Sequence, residues 1–397
     1  MIDVTDADLD FTAVEERMQW YIDQELVPYC SMAVLKGTDI VYLRHLGGGT
    51  PETTLTDDSI LRMHSSTKLA TSVVAMMLHE EGRFGLDDPV AEYLPLFADL
   101  SVLRPGATSA EDVEPANEPI LIRHLLSHSA GLSYGFVDPT SLIDRIYTEV
   151  GLNPLTGRGL TLTSVADGVA AVPLAYQPGT SWRYSLATDV VAKLIEVLCE
   201  ANFGTVMRER LFAPLGMVDT DFRVAPENAD RLSTMFNPAD PLDPMVPGLT
   251  ALPHEPARPD QPAWQSGGGG LFSTLVDYLA FIRMVINGGE WEGRRYLQAE
   301  TLELMRSNHL APGVEVEFPV WSMPHTTFGL GFARKDAPGR GEPDTAVDEY
   351  HWGGLAGTHF WMAPRAELTG VCITQRMPGF FHPFSRDFKR LVYDIAG

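Results

Sequence analysis

His64-Ser65-Ser66-Thr67-Lys68-Leu69-Ala70-Thr71-Ser72-Val73-Val74 is the stretch on which the reading of this chain turns. From Ser66 to Gly82 the residues are rich in Ala, Met, Leu and Val at helical spacing, and the pattern stops near Gly82 and Gly85. Ser65 and Lys68 stand three apart, which on a helix places hydroxyl and amine on one face. A serine hydroxyl is a weak nucleophile until something takes its proton, and a nearby amine of lowered pKa can do so. The positive end of a helix favours the neutral amine and stabilises an oxyanion. The plainer reading is a capping serine followed one turn later by a solvated lysine. Against it, Lys68 falls where the helix turns apolar (Leu69, Ala70, Val73, Val74, Met77), and a lysine beside a buried face requires a partner.

Outward from this stretch the chain divides. Phe11 to Glu25 has helical spacing, and Tyr29–Leu35 and Ile40–Leu46 read as strands joined by the turn Lys36-Gly37-Thr38-Asp39. Leu271–Gly288 reads as a helix, Glu349–Trp352, Thr358–Met362 and Leu368–Thr374 as strands, and Phe384–Ala396 as a closing helix. Between about 87 and 250, strand signals are weak, and Ile120–His128, Ser164–Val172 and Thr188–Glu200 read as helices. Proline crowds 224–264 (Pro226, Pro238, Pro241, Pro244, Pro247, Pro253, Pro256, Pro259, Pro262), which reads as an irregular loop. The expectation is an α+β chain. Residues 1–86 and 260–397 form a sheet domain from both termini, 87–259 form a mostly helical domain with long loops, and the active site lies between them.

Four further motifs carry candidate chemistry. Tyr184 follows the Pro-Gly loop of Gln177-Pro178-Gly179-Thr180-Ser181-Trp182-Arg183, and a tyrosine beside an ammonium loses its proton more easily, as a general base would. Tyr350-His351-Trp352-Gly353-Gly354-Leu355-Ala356-Gly357 reads as a strand ending in glycines, where a substrate carbonyl can approach backbone N–H donors. Gly131-Leu132-Ser133-Tyr134-Gly135 matches Gly-x-Ser-x-Gly but lacks the preceding strand and following helix that motif needs, so it reads as a turn. His124 and His128 stand four apart without the glutamate of His-Glu-x-x-His, and they read as structural, with no metal expected. Gly267–Gly270 has no nucleotide-binding context, and no cofactor is expected.

Composition narrows the partners. The 397 residues are 45% hydrophobic and 21% charged, as in ordinary globular proteins. A formal charge of −24 repels phosphate backbones and anionic lipid, so neither nucleic acid nor membrane is expected as a partner. Three scattered cysteines (Cys30, Cys199, Cys372) make neither a disulfide framework nor a zinc site. The opening Met-Ile-Asp-Val-Thr-Asp is acidic where a secretory signal is basic, and no apolar run approaches the roughly 18 residues of a membrane span, so the expected location is cytoplasmic.

Ser65-x-x-Lys68, Tyr184-Ser185 and Trp352-Gly353-Gly354, in that order, resemble the serine β-lactamase and penicillin-binding protein superfamily, and within it most the family VIII carboxylesterases, relatives of class C β-lactamases. Leu125-Leu126-Ser127-His128-Ser129-Ala130-Gly131-Leu132 and Pro214-Leu215-Gly216-Met217 add to the resemblance. It implies a five-stranded antiparallel sheet flanked by helices and a mostly helical second domain. It also implies Ser65 as the acylated nucleophile, Lys68 and Tyr184 as the groups that move its proton, and the N–H groups of Ser65 and Leu355 as the oxyanion hole on the strand Trp352-Gly353-Gly354.

Two departures bear on substrate. Tyr184-Ser185-Leu186 replaces the Tyr-x-Asn of class C β-lactamases, and Trp352-Gly353-Gly354 replaces their Lys-Thr-Gly, putting an indole where a cation would meet a β-lactam carboxylate. Both favour a neutral small-molecule ester of short or bulky acyl chain. Trp182, Tyr134, Phe136 and Trp352 are candidate pocket walls. The competing readings are an acyltransferase, a β-lactamase or D-amino-acid peptidase on the same fold, a catalytically silent binding protein, and an α/β-hydrolase using Ser133.

Overall fold

The computed structural model describes residues 3–157, 159–253, 264–319 and 321–397. Its centre is an antiparallel sheet of seven strands: β1 (Tyr29–Lys36), β2 (Asp39–Gly47), β3 (Thr326–Phe328), β4 (Ala333–Lys335), β5 (Tyr350–Gly354), β6 (Thr358–Ala363) and β7 (Leu368–Ile373). Their order is β3-β4-β5-β6-β7-β1-β2, so the C-terminal meander docks on the N-terminal hairpin through β7 and β1 (Ser31 opposite Ile373). Five strands were expected. The additional two, β3 and β4, are three residues each around Gly329-Leu330-Gly331, too short for a period of two to show in sequence.

Alternation along the strands builds two cores. Cys30, Met32 and Val34 of β1 point toward α1 (Thr12–Asp23) and α5 (Phe384–Ala396), joining Val14, Met18, Phe388 and Val392. Tyr29, Ala33 and Leu35 point the other way, toward α2 (Thr67–Glu80) and α4 (Leu275–Ile286), joining Val73, Val74 and Phe281. The α4 start is fixed by Thr274, whose hydroxyl accepts the Asp277 N–H at 3.1 Å. Every residue of β7 is buried, as a central strand covered on both faces requires.

Within 87–253 the helices are Ile122–Leu126, Leu142–Glu149, Leu162–Ala170, α3 (Ala187–Cys199) and Phe203–Met207, all but α3 of 9 residues or fewer. The expected helix over Ile120–His128 ends at Leu126, because His128 turns into the left-handed region (φ 57°) to start the Ser129–Gly135 loop. The proline-rich stretch holds a 3₁₀ turn (Pro226–Arg231) and a small strand pair (Phe236–Pro238 with Leu249–Ala251). Its Pro256, Pro259 and Pro262, and the expected boundary at 260, lie outside the described residues. No helix among the described residues is long and apolar enough to cross a membrane.

Candidate active site

Ser65 lies in the 3₁₀ turn His64–Ser66 that runs straight into α2. The turn is stitched on three sides. Thr67 Oγ1 donates to the His64 carbonyl at 2.6 Å and accepts from Leu271 N at 3.1 Å, Thr358 Oγ1 donates to the Met63 carbonyl at 2.8 Å, and Tyr278 Oη donates to the Ser66 carbonyl at 3.1 Å. His64 is held at φ 46°, a conformation that costs a non-glycine residue on the order of 1 kcal/mol and that the surrounding bonds over-determine. Burial pushes its imidazole down to about 4, so it stands neutral beside Ser65.

Lys68 is fully buried one turn on. Its ammonium has three N–H donors and all three are used: Ser65 Oγ at 3.2 Å, Tyr134 Oη at 2.8 Å and the Gly268 carbonyl at 2.6 Å. Desolvation drives its pKa well below the usual lysine range, opposed by the carboxylate of Asp189. Asp189 stands in the first turn of α3, which packs on α2, and its own pKa is raised by burial. Burial thus disfavours the charged form of both groups.

Tyr184 reaches this site because its loop is tied to the 128–133 segment: Gly179 N donates to Ser129 O (2.8 Å), Arg183 N to His128 O (3.0 Å) and Leu186 N to Ser133 O (3.0 Å). Its oxygen accepts from Trp352 Nε1 at 3.1 Å and faces the Ser65 and Tyr134 hydroxyls. The lysine lies over the tyrosine ring, 4.5 Å from its centroid. The sequence argument expected a neighbouring ammonium to make Tyr184 a phenolate. Here burial dominates and pushes the phenol up, so the neutral form is favoured.

Gly353 and Gly354 pair with His359 and Thr358 inside β5, although glycine weakens strands. A Cβ on Gly354 would stand 2.5 Å from the Met63 carbonyl and 2.8 Å from His64 Cβ. The strand end is therefore seated directly against the turn bearing Ser65, and Leu355 follows it. Trp352 is buried with its indole against Tyr184, Trp182, Phe328 and Phe318, an aromatic cleft with ring centroids 5.1–6.5 Å apart. Of the expected walls, Trp182, Tyr134 and Trp352 line this cluster, and Phe136 packs on Tyr134.

Thus Ser65, Lys68, Tyr184, Trp352 and the Gly353-Gly354 strand end come together. Three partners were not read as such from sequence: Asp189, the Tyr134 hydroxyl and the Gly268 carbonyl. The signal for Gly268 was the run Gly267–Gly270, since a Cβ on Gly268 would lie 2.7 Å from Asp189 Oδ2 and 3.3 Å from Lys68 Nζ. Ser133, the rival nucleophile, is buried and locked between Asp144 and Arg183, whose Nε donates to its Oγ at 2.7 Å. No group of three or more His, Cys, Asp or Glu able to hold a metal exists among the described residues; His128 Nδ1 instead meets Ser185 Oγ at 3.1 Å.

The family model described as beta-lactamase matches residues 13–394. The chain belongs to the beta-lactamase family. An uncharacterized protein of Mycobacterium tuberculosis is 31% identical over 352 residues, covering 87% of this chain and 83% of its own. Esterase EstB of Burkholderia gladioli is 27% identical over 387 residues, covering 92% and 91%. Among solved structures, EstCE1, described as a hydrolase with promiscuous acyltransferase activity, superposes with a TM-score of 0.78 at 25% identity, over 96% of this chain and 97% of that one. The beta-lactamase family thus includes esterase and acyltransferase neighbours of this chain, and its fold is the one described above.

Proposed function

We propose that this chain is a serine carboxylesterase that cleaves neutral esters, short-chain or bulky, through an acyl-Ser65 intermediate. The observation that carries the reading is the buried Lys68 amine, aimed at Ser65 Oγ and depressed in pKa by desolvation. A neutral amine takes the Ser65 proton as Oγ bonds to the ester carbonyl carbon. The N–H groups of Ser65 and Leu355 receive the oxyanion, a contribution typically of about 3–4 kcal/mol per donor. Collapse breaks the ester C–O bond. The leaving alkoxide takes a proton delivered from Lys68 through the neutral Tyr184 phenol, and water then attacks the acyl carbon by the reverse relay.

The indole of Trp352 favours uncharged esters, since no cation stands on that strand to meet a carboxylate. The roles join residues of the N- and C-terminal parts (Ser65, Lys68, Trp352, Leu355) to residues of the central part (Tyr134, Tyr184, Asp189), in keeping with a cleft between two domains. Comparison of p-nitrophenyl butyrate with nitrocefin tests the reading: ester turnover with little or no β-lactam turnover supports it, and the reverse order contradicts it. The EstCE1 likeness favours one second reading, in which an alcohol intercepts the acyl-enzyme. Transesterified product on adding alcohol would identify it.

A further inference from the structure

On the α5 side of the sheet, over β5 and β6, lies a cavity of about 530 Å³, in the size range of small-molecule sites. Its floor includes Trp361, with Tyr393 of α5 stacked on it at 5.1 Å. Its interior charges are matched. Lys389 reaches Glu342 at 2.8 Å and Glu349 at 2.9 Å, and Lys335 pairs with the same two carboxylates. Two other carboxylates in the wall are also engaged, Asp387 by Arg17 and Asp394 by Arg390. What remains is a positive excess at the mouth.

Arg340 and Arg386 form no ion pair among the described residues, and the Arg386 guanidinium lies over the Trp321 ring, 4.9 Å from its centroid. In a chain of net charge −24, two uncommitted arginines at one cavity are a local reversal of sign. Beside them the wall is aromatic: Phe380 stacks on His359 at 5.4 Å and meets Trp321 at 5.7 Å. One ring nitrogen in the wall, Trp361 Nε1, is buried without a hydrogen-bond partner among the described residues.

We propose that this cavity binds a small monocarboxylate with an aromatic or branched apolar body, its acid at Arg386 and its body against Trp321, Phe380 and Trp361. A guanidinium fork suits a carboxylate in two-point contact, and a ring face holds the fork flat for it. A dianion fits less well, because Glu342 and Glu349 stand inside. Trp352 and Phe380 line both this cavity and the catalytic cleft, their rings 5.9 Å apart, whereas Ser65, Lys68 and Tyr184 are not part of its wall. The assignment does not depend on the esterase reading, although a carboxylic acid is also what ester cleavage releases.

Calorimetric titration with 3-phenylpropanoate tests it, on untreated protein, on protein first blocked with a fluorophosphonate, and on Arg386→Gln. The uncharged probe is 3-phenylpropan-1-ol. The expected results are saturable binding of the acid, the same Kd after blocking, and a Kd weaker by about fivefold or more for Arg386→Gln and for the alcohol. Absence of saturable binding up to about 10 mM, loss of binding on blocking, or equal affinity of acid and alcohol would each overturn the assignment. Arg386 is exposed, so its replacement leaves the fold intact, and the acid–alcohol comparison needs no variant. A protein whose Ser65 fails to react would sink the esterase reading alone, since the untreated titrations still decide this one.

Discussion

Lys68 Nζ lies 2.8 Å from Tyr134 Oη, across 66 positions of sequence. The contact joins α2, which leaves the sheet, to a loop of the mainly helical part. With the Gly268 carbonyl on the third side at 2.6 Å, it holds the amine where it also reaches Ser65 Oγ at 3.2 Å. A buried amine so enclosed loses its preference for the charged form, because each hydroxyl and carbonyl around it is a weaker ion solvator than water.

The pH dependence follows from that enclosure. If neutral Lys68 is the base, kcat/KM rises with pH through the depressed Lys68 pKa and stays high well below the ordinary lysine range. Asp189 favours the ammonium, so Asp189→Asn lowers the Lys68 pKa further and moves the acidic limb to lower pH. A pH–rate profile of both proteins checks the direction; a limb that moves upward contradicts the assignment.

Gly268→Ala places a methyl 2.7 Å from Asp189 Oδ2 and 2.9 Å from Tyr134 Oη. Either the pair separates or the 266–270 segment shifts, at a cost of about 1–3 kcal/mol. Activity should fall by at least tenfold, with a melting temperature lowered by several degrees, read by circular dichroism.

Trp352→Phe keeps the aromatic cleft and removes the Nε1 donor to Tyr184. Loss of a neutral hydrogen bond of about 1 kcal/mol predicts a rate lower by roughly fivefold to tenfold, and the smaller ring in a buried site lowers the melting temperature as well. An unchanged kcat would detach Tyr184 from the chemistry.

Ser133→Ala tests the rival nucleophile. It leaves the buried Asp144 and the half-buried Arg183 with one partner fewer, which costs about 1–3 kcal/mol of stability while turnover persists. Loss of turnover in a protein that still melts as the parent does would reinstate Ser133.

Much of this was legible in sequence, and the exceptions have physical causes. The hairpin at 29–47, the strands at 350–373 and the helices flanking them are long and periodic, and the structure has them within a few residues. Strands β3 and β4 are too short to carry a period, and pairing across Thr326–Lys335 is a tertiary outcome. Ser65, Lys68 and the glycines of β5 announce themselves by spacing. Asp189 does not, because its relation to Lys68 exists only once α3 packs on α2. Tyr184 shows the opposite error: its neighbour was foreseen, but the cost of burying a phenolate outweighs one nearby ammonium.

The most direct test is to treat the purified protein with a fluorophosphonate and map the modified peptide by mass spectrometry, beside Ser65→Ala. The expected result is a single adduct on Ser65, none in Ser65→Ala, and ester turnover reduced by at least about a thousandfold in a variant that keeps its fold. An adduct on Ser133, or an active Ser65→Ala protein, would contradict the Ser65–Lys68–Tyr184 site outright.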